Sequence, residues 1–324
     1  MGGIDVQIHE PANVLSTMLL AITGGPKDSK LHPIAEAALA HVRPFLAHPS
    51  LAWLKEFYKA EDLHELYGHA AQLSGPVSFT PRSLLVPAYL ANYEPARMKE
   101  LPAKMAAFYD DAKLGTFRRA RNSEYTLAAA DVKDTLDSAR IESFLAELYG
   151  PTKYKFVAAP VPTNPFSGGA MDAMSGWESF AFLFPPRVNP KSEDPVAWSF
   201  DPEATQVLVQ HELSHALAYD LLRQHRGVVA ALKNTLALIP RDSAFARQFQ
   251  EAQARFAELF IHASSVSYLR RSHGDEVARR WMEDQMRRLG TSLVQDFFLA
   301  LEQYLGTRRW SDLGTFLGDL AKLI

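Results

Sequence analysis

Apolar positions change their spacing at about residue 150, and that change organises the whole chain. Before it, apolar residues recur every three to four positions. This predicts helices over residues 11–22, 33–47, 51–73, 84–92 and 95–111, and one long helix over 122–148. Residues 4–8 alternate apolar and polar and read as a first strand. Gly24-Gly25-Pro26 closes the first helix, His48-Pro49-Ser50 separates the second from the third, 75–83 reads as a loop, and Gly150-Pro151 stops the long helix. After residue 150, residues 153–161 and 178–184 read as strands, joined by a Gly-, Asn-, Pro- and Ser-rich loop over 162–176. Pro185, Pro186, Pro190 and Pro195 punctuate the next loop. Helical periodicity then returns over 202–225, 243–272, 275–289, 291–304 and 312–323. The expected fold is α+β and mostly helical. A helical N-terminal lobe with one strand takes residues 1–150. A second lobe over 151–324 sets a small mixed or antiparallel sheet beside the 202–225 helix and ends in further helices, the two lobes forming one compact unit.

The 202–225 helix carries the most informative residues. Asp201 is a good N-cap, Pro202 fits the first helical position and Glu203 suits the positive end of the helix. Val207, Leu208, Leu213, Leu217, Leu221 and Leu222 can anchor it in a core. Within it stands His211-Glu212-Leu213-Ser214-His215, an H-E-x-x-H pattern. Four residues turn through about 400° of helix, so His211 and His215 emerge one above the other and can share one zinc ion. Glu212 lies about 100° round the helix, where it can act as general base on a water activated by the ion. Eleven histidines and nineteen glutamates would produce these offsets by chance only about 0.02 times in a chain of 324 residues, so the pattern is worth weight. A second stretch, His64-Glu65-Leu66-Tyr67-Gly68-His69, places its histidines five apart, about 140° round a helix. It reads as a surface helix end and not as a metal site.

Two histidines and a water leave one ligand to be found. Extension to a three-histidine pattern fails, because Ala218 and Leu221 stand where Gly and His are required. A carboxylate on a later helix is the other common solution. Glu258 sits amid Phe256, Ala257, Leu259, Phe260 and Ile261, and a carboxylate in such company needs a partner. Glu251 is the rival, on a wetter face marked by Gln248, Gln250 and Gln253. His262, one turn after Glu258, could support a ligand, donate to a reacting oxyanion, replace Glu258 or simply belong to the core. Tyr268 is a further oxyanion-donor candidate, or a packed tyrosine with its hydroxyl at the surface.

Composition narrows the partners. Net charge is −3, which leaves no basic footprint for nucleic acid, and no apolar run approaches the ~20 residues of a membrane span. Cysteine is absent, which removes disulfides, thiolate catalysis and Cys-type zinc sites. The first residues lack the charged and apolar regions of a secretory signal, so none is expected in this chain, and its compartment and oligomeric state stay open. The strand-loop-strand order ahead of the metal helix could present an extended edge to which a peptide adds as another strand, or form an ordinary hairpin. Arg270, Arg271, Arg279, Arg280, Arg287 and Arg288 read as solvated faces, any one of which could bind a substrate carboxylate.

His211-Glu212-x-x-His215 with a later helix bearing Glu258 resembles the gluzincin branch of the zincin metallopeptidases. The lead-in from Lys155, the His-Glu-Leu-Ser-His run and the Glu-x-x-x-His-Ala segment at 258–263 also resemble an uncharacterised bacterial domain family. The resemblance covers residues 150–270 best. It implies a zincin-like fold in which His211, His215 and Glu258 bind Zn²⁺ and Glu212 is the base, acting on a peptide or protein. It departs from many gluzincins at Ala257 and His262, where those have Asn and an acidic residue. A metal-binding module without catalysis, and a helical protein with a chance motif, are the competing expectations.

Overall fold

The chain opens with a two-residue strand β1 (Asp5–Val6) and helix α1 (Glu10–Thr23). The His9 ring caps α1 by accepting from the Ala12 N–H at 3.3 Å, and Gly24 closes it at φ 74, a left-handed conformation that suits glycine. The same entry recurs twice. The His32 ring accepts from the Ile34 N–H at 3.4 Å to start α2 (Pro33–Val42), and the His48 ring accepts from the Ser50 N–H at 3.1 Å to start α3 (Pro49–Phe57). An N-cap needs an acceptor, and a neutral imidazole has one.

The computed structural model describes residues 3–25, 30–58, 63–75, 79–80, 99–166, 168–185, 201–307 and 309–324. The helix expected over 84–92 and the prolines 186, 190 and 195 lie outside these. The chain divides into two units by its contacts: Met1–Asp137 with Tyr154–Thr205, and Ser138–Lys153 with Gln206–Ile324. The strands over 155–183 therefore group with the first 137 residues, whereas the boundary expected at 150 grouped them with the metal helix.

In the first unit, α4 (Leu63–Ala71), α5 (Leu101–Asp111), α6 (Leu114–Ala120) and α7 (Asn122–Asp137) join the earlier helices. Strands β2 (Lys155–Pro160), β3 (Ala170–Ser175) and β4 (Glu178–Leu183) complete a mixed sheet in the order β1-β2-β4-β3. β2 pairs in parallel with β1 and β4, and β3 pairs antiparallel with β4 through the turn at Gly176. β3 lies where a loop was expected. Its sequence, Ala-Met-Asp-Ala-Met-Ser, has no β-branched residue, so cross-strand pairing and not propensity makes it a strand. The core of this unit joins Leu15, Met18, Tyr67, Val157, Phe180 and Phe182.

The long helix expected over 122–148 is broken. Arg140 takes φ 48, and α8 (Ile141–Tyr149) belongs to the second unit. The rest of that unit is helical: α9 (Pro202–Gln224) from Gln206 onward, α10 (Gly227–Ala231), α11 (Lys233–Leu236), α12 (Ala244–Gln248), α13 (Ala252–His273), α14 (Asp275–Leu289), α15 (Leu293–Gly306) and α16 (Leu313–Leu320). The helix expected over 243–272 is thus two, capped separately by Ser243 and at Glu251. α13 is the axis of the unit, with every residue from Phe256 to Leu269 buried. Phe256 packs on Phe297 of α15 at 5.8 Å between ring centres, and Phe260 on Tyr149 of α8 at 6.1 Å. No described helix is long and apolar enough to cross a membrane.

Burial lowers the His32 pKa from 6.5 to about 4, and does the same to His69 in α4. The unfolded chain therefore binds protons that the folded chain refuses. Their stabilisation is complete above pH 6.5 and is lost as pH falls towards 4. The melting temperature is expected to fall across that window. His32→Asn, which keeps a cap acceptor, should flatten the fall; an unchanged slope would remove His32 from the account.

Candidate metal centre

Helix α9 forms as its sequence demands. Asp201 Oδ1 accepts from the N–H of Glu203 at 3.0 Å and of Ala204 at 3.4 Å, and Pro202 and Glu203 occupy the first turn. Val207, Leu213, Leu217 and Leu222 are buried as expected, while Leu208 and Leu221 are only half-buried. His211 and His215 share one face, their ring centres 5.2 Å apart.

Helix α13, in the same unit, presents Glu258 and His262 to that face. The His211 Nε2 stands 3.7 Å from Glu258 Oε2, and the His215 Nε2 stands 3.6 Å from Glu258 Oε1. The His262 Nε2 is 4.0 Å from Glu258 Oε2, and its ring centre is 4.7 Å from that of His211. One donor atom each from His211, Glu258 and His262 lies within 4.8 Å of the others, a grouping that could hold a metal ion. Donors bound to one ion at about 2.1 Å stand at comparable separations from one another. These two imidazoles and one carboxylate suit a divalent ion; His215, expected as a ligand, is not among the three and meets the group through Glu258 Oε1. Glu212 Oε2 lies 4.0 Å from His215 Nε2, and the glutamate is buried.

A polar seam fixes this register. Gln210 Nε2 of α9 donates to Ser264 Oγ of α13 at 3.0 Å and to Ser214 Oγ at 2.9 Å. Ser214 in turn donates to the Gln210 carbonyl at 2.7 Å, and Ser264 to the Ile261 carbonyl at 2.8 Å. All three side chains are wholly buried, so the seam has no solvent to turn to if the helices slide.

Loss of the ring protons favours metal binding. Burial, followed by His262, His215 and Arg288, holds the His211 pKa well below 6.5. Burial, followed by Arg288 and His215, brings the His262 pKa to about 3. Both rings are neutral at pH 7 and keep a lone pair for an ion.

The other candidates have different positions. The Tyr268 hydroxyl donates to the Ala139 carbonyl at 2.7 Å and lies 3.2 Å from Gln206 Oε1, so it ties α13 to the entry of α8. Its surroundings are those of a structural hydroxyl, not of an oxyanion donor. Glu251 is exposed at the start of α13. The His64-to-His69 stretch is no surface helix end: α4 continues to Ala71 with Leu66, Tyr67 and Gly68 buried. Packing of α4 on β3 overrides the roughly 1 kcal/mol that glycine costs a helix. His64 is held by Asp172 at 2.8 Å. Sequence reasoning missed Gln210 and Ser264, whose only signal is polarity inside an apolar stripe. It also missed Trp281, whose ring centre lies 5.7 Å from that of His262.

Comparisons of the chain with protein-family models, with curated proteins and with solved structures find no match.

Zinc at a thousandfold excess over its dissociation constant should stabilise the protein by about 4.1 kcal/mol, seen as a higher melting temperature that a chelator reverses. Glu258→Ala should lose that response; equal zinc-dependent melting of wild type and variant would exclude Glu258 as a ligand. Gln210→Leu should cost about 1–3 kcal/mol through the two hydrogen bonds that its amide donates and should weaken zinc binding. Unchanged zinc affinity would separate the seam from the metal centre.

Proposed function

We propose that this chain is a zinc-dependent hydrolase, a peptidase acting on peptide or protein substrates, with His211, His215 and Glu258 holding the ion. The observation that carries the reading is Glu212. Retaining an ion requires donors only. A buried glutamate that directly follows the first histidine and lies 4.0 Å from the second is not needed beside His211, His215 and Glu258 to hold the ion. It is what water activation requires.

When bound, zinc polarises the scissile carbonyl and acidifies water. The remaining chemistry falls to side chains. Glu212 takes the proton of the attacking water and passes it to the leaving amine. His211, kept neutral by burial, offers its lone pair at physiological pH. Glu258 supplies the negative charge that a divalent cation needs in a buried setting. The resemblance to gluzincins, in which the same residue types have these roles, supports the assignment.

A second reading is a metal-binding module that does not catalyse. His262 favours it. Its ring joins the cluster, and its Nδ1 is buried with no hydrogen-bond partner among the described residues. Ligation by His262 would add a fourth protein donor and close the site in the manner of structural zinc.

Glu212→Gln separates the two. The variant should keep one zinc per chain and lose turnover of a peptide library by about 10²- to 10⁴-fold. Full activity in that variant would refute the role of Glu212. A zinc-loaded wild type that turns over no peptide would favour the module.

A further inference from the structure

The arginines of the C-terminal helices do not all have the same surroundings. Arg270 pairs with Asp275 at 2.7 Å and Glu302 at 2.8 Å, Arg271 with Glu147 at 2.7 Å, Arg279 with Glu283 at 2.9 Å and Arg287 with Asp284 at 2.6 Å. Arg280 is engaged as well. Arg288 is exposed and makes no ion pair with any described residue.

Its place in the fold is also particular. Gly274 alone joins α13 to α14, and the two helices pack along one another. A methyl group at Gly290 would stand 3.2 Å from Ser243 Cβ, so the far end of α14 returns to the segment that precedes α13. The helices are therefore antiparallel. As many residues separate Arg288 from Gly274 as separate Gly274 from Phe260, which returns Arg288 to the level of Glu258 and His262. The face is fixed as well. Trp281 meets the His262 ring at 5.7 Å, Gln285 one turn later is buried, and Arg288 lies one turn beyond on the same stripe. The downward pull of the Arg288 charge on both His262 and His211 agrees with that placement.

A guanidinium with no ion pair among the described residues, beside a cluster that could hold a cation, calls for an anion, because two positive groups in one place repel. A substrate can carry one. We propose that Arg288 anchors a carboxylate of the substrate next to the bond that is cleaved, so that the hydrolase selects peptides with a negative charge there. This rests on the peptidase reading above. The carboxylate is either the C-terminus of the peptide, which makes the enzyme a carboxypeptidase, or an acidic side chain in an internal sequence. A guanidinium receives either in a two-pronged bond that lysine cannot reproduce.

Three N-acetylated tetrapeptides of one alanine-rich sequence test this: one with a free C-terminal carboxylate, one with a C-terminal amide, and one amide with Asp beside the scissile bond. Wild type loaded with zinc should prefer one of the charged peptides over the neutral amide. Preference for the free carboxylate identifies the exopeptidase, and preference for the Asp peptide identifies the side-chain source. Arg288→Ala should lower kcat/KM for the preferred peptide by about 10- to 100-fold, mainly through KM, and leave the neutral amide unchanged. Arg288→Lys should restore little of it. Equal kcat/KM for all three peptides, or an equal loss on charged and neutral peptides, would overturn the anchor and leave the peptidase standing. If wild type cleaves none of them, calorimetry on zinc-loaded Glu212→Gln with the same peptides decides. Binding of a charged peptide that vanishes with Arg288→Ala would keep the anchor while the peptidase fails. No difference between the two proteins would overturn the anchor.

Discussion

The hydrogen bond from Gln210 to Ser264 is the contact on which the second unit depends. It joins α9 to α13 through side chains that are wholly buried, and each residue is a neighbour of the histidine–glutamate cluster: Gln210 directly precedes His211, and Ser264 lies two residues past His262. A slide of either helix would take the Gln210 amide from Ser264, at a cost of about 1–3 kcal/mol, while both serine hydroxyls keep their bonds to carbonyls of their own helices. Apolar contacts have no such register. Leu213 or Phe260 would accept a shifted neighbour of similar size with less loss. The seam thus converts a greasy interface into one with a single setting, and that setting brings His211 and His215 to 3.7 and 3.6 Å from the Glu258 carboxylate.

The cluster in turn asks something of the fold. A carboxylate and three imidazoles in a buried place are costly to desolvate. The helix that carries Glu258 and His262 is held on several sides, by Phe297, by Tyr149 and by the Tyr268 hydroxyl on Ala139. That framework lets α13 keep polar groups at its centre. Tyr268 contributes to the site by position, two turns away in its own helix, through the anchoring of α8.

Much of this is legible in the sequence, and the failures have physical causes. The H-E-x-x-H helix is legible because cap, apolar stripe and ligand spacing all agree on one element. Glu258 is legible because a carboxylate among phenylalanines needs an explanation. The break at Arg140 is hidden, because Ile141, Phe144, Leu145 and Leu148 continue the helical period across it. β3 is hidden because its alanines and methionines carry no strand preference. The three histidine caps are hidden because histidine is not among the residues that usually cap helices, although its unprotonated nitrogen accepts as a carboxylate does. The grouping of the strands with the N-terminal segment is a matter of tertiary contact that periodicity does not record.

The chain also contains its own comparison for what makes a metal centre. α4 bears His64, Glu65 and His69, the same residue types as α9, in a regular helix. There the spacing of five turns the rings about 140° apart. His64 goes to Asp172 at 2.8 Å, while His69 is half-buried with a pKa near 4 and finds no hydrogen-bond partner for its Nε2 among the described residues. One residue fewer between the histidines, in α9, brings the rings to one face, edge to face at 5.2 Å, and a second helix meets that face with a carboxylate. Residue type alone therefore does not define a centre. Helical phase and a partner helix in register are needed as well, and both are found in α9 and α13, whose side chains form a grouping that could hold a metal ion.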